Sequence, residues 1–85
     1  MIVKALDKEW EVNNPTFKQR RELHKINARV WRSEEMDIDT YFYLLERVME
    51  ISGLGEEDFN GLSMVDIDTV LQSIFLEYLN TSKKD

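Results

Sequence analysis

The residues in this 85-residue chain that could do chemistry are one histidine, a set of serines, seventeen carboxylates and a line of cations. A general base needs a tuned histidine or carboxylate with a partner that orients it. His24 has no carboxylate at i±4 and sits at the edge of an apolar helix face beside basic residues, so it reads as structural. Ser33, Ser52, Ser63 and Ser73 fall at caps, helix ends or a helix surface, and none lies in a Gly-x-Ser-x-Gly elbow. Metal is the sharper temptation. With Gly61 as the sixth residue of a calcium loop, Glu56, Asp58 and Asn60 take positions one, three and five. Position twelve then falls on Ile67, where a bidentate glutamate is required, and the reading fails there. Three glycines make no phosphate-cradling loop, and the absence of cysteine removes disulfides and thiolate metal sites. The sequence points to a protein that is not an enzyme and holds no cofactor or metal.

The cations carry more. The chain has net charge −6, but residues 18–32 hold six bases against Glu22, a local +5. Residues 33–81 hold twelve acids against Arg47 alone, a local −11. This split excludes a uniformly basic nucleic-acid binder and a polybasic membrane anchor. Lys18, Arg21, Lys25, Arg29 and Arg32 follow helical spacing and form one continuous stripe. Such a stripe is a solvated helix face, a docking face for an acidic protein (another copy of this chain included), or a phosphate-tracking surface. The acidic body repels the polyanion that the last reading needs.

The elements that must position these residues read as a mainly α chain, a short N-terminal β-hairpin followed by three amphipathic helices in one small domain over 1–85. Residues 1–12 form a strand pair, with Asp7-Lys8-Glu9 as the turn. Two strands alone are marginal, so the pair must pack on helices. Thr16 with Gln19 makes a capping box, and the first helix spans 17–32 with Leu23, Ile26 and Val30 on its apolar face. The second helix spans 38–52, capped by Asp37 or Asp39. Its apolar set is Ile38, Tyr41, Phe42, Leu45, Val48 and Met49, broadened by Tyr43 and Leu44, and Gly53 follows as its C-terminal stop. An acidic turn over 55–61 holds one helical turn. Ser63 then caps a third helix over 64–80, built on Ile67, Val70, Leu71, Ile74, Phe75, Tyr78 and Leu79, and the residues from Asn80 to Asp85 fray. Asp37-Ile38-Asp39-Thr40 recurs as Asp66-Ile67-Asp68-Thr69, a repeated helix-start signal in which acids meet the positive end of the helix dipole.

Nine aromatic residues are many for a core this small. Either all of them pack inside, or some stay exposed as a partner surface. Trp31, Tyr41, Tyr43 and Phe59 are the candidates for apolar contact with a partner. Arg21, Lys25 and Arg29 are the candidates for steering it. The longest uncharged run, Thr69–Leu76, is far too short to span a membrane, and the N-terminus lacks the apolar stretch of a signal peptide. A cytoplasmic protein is the expectation.

The order of these signals resembles a known family. A hairpin containing Lys8-Glu9-Trp10-Glu11-Val12 precedes the helix start Pro15-Thr16-Phe17-Lys18-Gln19-Arg20-Arg21-Glu22-Leu23. Ile51-Ser52-Gly53-Leu54-Gly55-Glu56-Glu57-Asp58-Phe59 and Leu62-Ser63-Met64-Val65-Asp66 then lead into the closing helix. The pattern, over residues 8–79, is similar to that of the small tail assembly chaperones of long-tailed bacteriophages, with Gly55 standing where that family often has Ser. The resemblance implies a protein that holds the aggregation-prone tape measure protein while tail tube subunits assemble around it, in the cytoplasm of the host cell. It also implies a longer, frameshifted form in many phages, for which Lys83-Lys84 would suit slippery adenine-rich codons. Two other functions fit the residues: a small nucleic-acid-associated regulator using the basic helix 18–32, and a self-assembling structural virion protein in which the basic helix of one copy meets the acidic body of another.

Overall fold

The computed structural model describes residues 1–32 and 34–80. Of the residues expected to fray from Asn80 to Asp85, Asn80 is instead the last residue of the third helix, and residues 81–85, with the basic pair at 83–84, lie outside the described residues.

Period-two alternation sets the hairpin. Strand β1 (Ile2–Ala5) pairs antiparallel with β2 (Lys8–Glu11), with Val3 opposite Trp10 and Ala5 opposite Lys8. Val3, Ala5, Trp10 and Val12 all point inward. The expected turn at Asp7-Lys8-Glu9 is corrected. The connection is Leu6-Asp7, both at positive φ (56° and 58°), and Lys8 and Glu9 belong to β2. Two positive φ values in a two-residue loop match the strand twist, but they favour Asn-Gly over a leucine. Replacing Leu6→Asn together with Asp7→Gly is therefore expected to raise stability by about 1–2 kcal/mol, read as a higher urea midpoint.

Three helices follow: α1 (Phe17–Val30), α2 (Ile38–Ser52) and α3 (Met64–Asn80), with a 3₁₀ turn over Glu56–Phe59 between the last two. Their starts are local side-chain chemistry. Thr16 and Gln19 form the reciprocal capping box, Asp37 accepts from the Thr40 N–H at 3.1 Å, and Ser63 accepts from the Asp66 N–H at 3.1 Å. The first helix ends at Val30, two residues short of the expected Arg32, with Trp31 as its cap. Gly53 closes α2 at φ 86°, and a Cβ there would come within 2.7 Å of the Asn13 side-chain nitrogen. Glycine is needed at that position for the left-handed turn, whereas the Asn13 amide, at the end of an exposed side chain, can swing aside.

Helix α1 packs on α2, α2 on α3, and β1 on α3. Leu23, Ile26 and Val30 meet Leu44, Val48, Ile74 and Val70 in the shared core. The buried face of α2 is Leu44, Leu45, Val48, Ile51 and Ser52, while Ile38 and Phe42 are exposed. The expected face is thus rotated by roughly 60° at 3.6 residues per turn. Neighbours on both sides of α2 draw the burial towards Leu44 and Ile51.

Asn13 joins the distant parts. Its N–H donates to the Ser52 carbonyl at 3.0 Å, and its carbonyl accepts from the Tyr78 hydroxyl at 2.8 Å. Tyr78 is fully buried, and burial pushes its phenol up to about 12, because the phenolate is poorly solvated there. A raised folded-state value means stability present below the ordinary value of 10 and lost as pH rises through 12. Urea midpoints measured between about pH 8 and pH 11.5 should fall at the alkaline end. Tyr78→Phe should remove that alkaline contribution and cost about 1–2 kcal/mol at neutral pH, where the Asn13 carbonyl loses its donor.

Candidate functional site

The seven residues expected to meet a partner do not form one patch. The helix that carries the cations is held by an ion pair. Arg47 on α2 reaches Glu22 on α1 through both Nε and Nη2, each at 2.8 Å, and Glu50 through Nη1 at 2.8 Å. The two parallel hydrogen bonds from Arg47 hold the Glu22 carboxyl below the usual carboxylate range, and the same bonds raise Arg47. Glu22 was the one acid within the basic segment, and Arg47 the one base within the acidic body. Each cancels the other across the α1–α2 contact. Lys18, Arg21, Lys25 and Arg29 are left exposed on α1 as a cationic stripe, with Glu22 the one acid beside it, near Lys18. Arg32 lies beyond the helix end and leaves that register.

The rings divide three ways. Phe59 is 4% exposed, with its ring centroid 5.6 Å from that of Trp10, so it belongs to the core and not to an exposed contact surface. Tyr43 is exposed on α2 and lines none of the hollows that hold other rings. Trp31 and Tyr41 come together. The Asp37 N–H donates to the Val30 carbonyl at 2.9 Å, which folds the chain after α1 back on itself and brings Met36 beside Trp31. One turn into α2, Tyr41 stacks edge-on against Phe42 and accepts a hydrogen bond from Gln72 of α3. Leu76 follows one turn after Gln72.

These residues frame an open cleft of about 540 Å³ between the end of α1, α2 and α3. Leu44, Leu45 and Phe75 make its floor, and none of its lining residues is charged. Trp31 is 61% exposed and Leu76 57%. Two large apolar side chains kept in water at the mouth of an uncharged cleft are suited to an apolar segment of another protein. Met36 and Leu76 were missed from sequence. Leu76 carried a signal, because Gln72 and Ser73 occupy its i−4 and i−3 positions and place it on the polar side of α3. Arg21 lines a separate hollow with Phe17 and His24, while Lys25 and Arg29 line none of the main hollows.

Among the described residues no cluster of three or more His, Asp or Glu side chains could hold a metal. No described helix is long and apolar enough to cross a membrane. No family model matches the chain, and neither a curated protein nor a solved structure matches it.

Proposed function

We propose that this protein is a non-enzymatic binding protein, a tail assembly chaperone of the long-tailed bacteriophage kind, acting in the cytoplasm of the host cell. Its partner is the tape measure protein, a very long and largely helical chain. The observation that carries this reading is the uncharged cleft with Trp31 and Leu76 exposed at its mouth. An aggregation-prone apolar helix face gains by covering those side chains, at roughly 25 cal/mol per Å² of apolar surface removed from water. The cationic stripe on α1 has a single acid near it, Glu22, which is already bonded to Arg47, so the stripe steers the acidic stretches of such a partner towards the cleft.

The test is co-expression with a long helical tape measure protein. The tape measure protein is expected to move from the pellet to the supernatant and to co-purify with this chain. If it stays in the pellet at equal expression, the chaperone reading fails. The exposed stripe also supports a second reading, a regulator bound to nucleic acid. That reading requires salt-dependent DNA binding at about 50 mM salt, where phosphate contacts are strong. The −11 charge of residues 33–81 stands against it.

A further inference from the structure

A second groove runs between α2, the 3₁₀ turn and the start of α3. It holds about 980 Å³ and shares only Leu45 with the Trp31–Leu76 cleft. Phe42, Met49, Met64 and Ile67 line its walls, and its floor reaches Phe59 and Leu71. Met64 is 77% exposed and Phe42 45%, so the apolar wall is open to water. Glu46, Glu56 and Asp68 stand among the lining residues, and no lysine, arginine or histidine does.

We propose that this groove binds a cationic amphipathic helix from a partner protein. An apolar trough wide enough for a row of side chains takes the i, i+3, i+4, i+7 face of a helix. Three acids and no base select a partner whose flanking residues are lysine or arginine. The two methionines adapt their shape to whichever apolar side chains arrive. The occupant is not a second copy of this chain docking through its basic helix. Leu23, Ile26 and Val30, the apolar face of α1, are already buried in the core, so a neighbouring α1 could offer the groove its charges but no apolar row. The groove and the chaperone cleft are separate surfaces, and each can fail without the other.

The probe is a labelled leucine/lysine peptide of about 18 residues with helical periodicity, long enough to hold a helix on binding. Fluorescence anisotropy at low salt is expected to show saturable binding that weakens as salt is raised. A scrambled peptide of the same composition should bind about tenfold more weakly, and a leucine/glutamate peptide should not bind. The paired reversal Glu46→Lys with Glu56→Lys should weaken binding about tenfold. Met64→Glu, at a site open to water, should do the same. Methyl shifts on peptide addition should concentrate at Met49, Met64 and Ile67. Equal binding of the leucine/glutamate peptide would overturn the proposal, as would shifts centred on Leu76 instead. A dimer by light scattering that Met64→Glu splits, together with no peptide binding to the unsubstituted protein, would also overturn it, assigning the groove to a second copy.

Discussion

Trp10→Ala is expected to be the most damaging single substitution in the hairpin, lowering stability by about 3–5 kcal/mol. A chain of this length has roughly 4–13 kcal/mol in total, at 0.05–0.15 per residue, so the variant should be partly unfolded at 37 °C. The indole is 4% exposed and does three things at once. Its Nε1 donates to the Ala5 carbonyl at 3.1 Å, closing the hairpin across the Leu6-Asp7 turn. Its ring meets Phe59 of the 3₁₀ turn at 5.6 Å, tilted by 38°, which ties the hairpin to the loop between α2 and α3. The Lys8 ammonium lies 4.4 Å from its centroid and covers its outer face. Alanine leaves a cavity and removes all three contacts. Trp10→Phe keeps much of the apolar burial but loses the hydrogen bond to the Ala5 carbonyl, at about 0.5–1.5 kcal/mol. Urea denaturation reads both. Tryptophan emission gives an independent check: in a Trp31→Phe background the remaining Trp10 should emit as a buried indole and shift to the red on unfolding. A loss below about 1 kcal/mol for Trp10→Ala would mean that the indole is not part of the core.

Trp31→Ala is expected to remove most of the partner binding while leaving the fold intact. An exposed tryptophan at the mouth of an apolar cleft is the side chain that interfaces use as an anchor, at about 2–4 kcal/mol on truncation. That corresponds to a loss of affinity of roughly 30-fold or more. The indole is 61% exposed in the free protein and lies at the C-cap of α1, so its removal from the monomer costs little. Leu76→Glu, on the α3 wall of the same cleft, should match it by placing a charge where the partner's apolar face must sit. Tyr43→Ala is the discriminating control. Tyr43 is comparably exposed but lies outside the cleft, so its truncation should leave binding unchanged. Solubility of the co-expressed tape measure protein and pull-down yield provide the readout, with the urea midpoint of each variant measured alongside. Equal effects from Tyr43→Ala and Trp31→Ala would show that the cleft does not define the binding surface.

The helix starts, and the stop of α2, were legible because their chemistry is local. Thr16 with Gln19, Asp37 with Thr40, and Ser63 with Asp66 each complete a hydrogen bond three residues apart. The left-handed stop at Gly53 needs only that residue's freedom of φ. The face of α2 was legible less well. Apolar residues run through most of that helix, from Ile38 and the block Tyr41–Leu45 to Val48, Met49 and Ile51, so its own periodicity admits several faces. The choice of Leu44, Val48 and Ile51 came from α1 and α3 packing on either side.

By itself, then, the sequence determined a hairpin followed by three helices, their caps, and a charge split between a basic first helix and an acidic body. All of these depend on neighbours within about one helical turn or on simple counting. Tertiary structure alone decided which large side chains stay in water. Phe59 vanished beneath Trp10, whereas Trp31 and Leu76 were left at a cleft mouth. It also decided that the isolated acid and the isolated base, Glu22 and Arg47, would find each other from 25 residues apart. Pairings of that range depend on how whole helices pack, because burial is set by what arrives from elsewhere in the chain and not by a residue's own type.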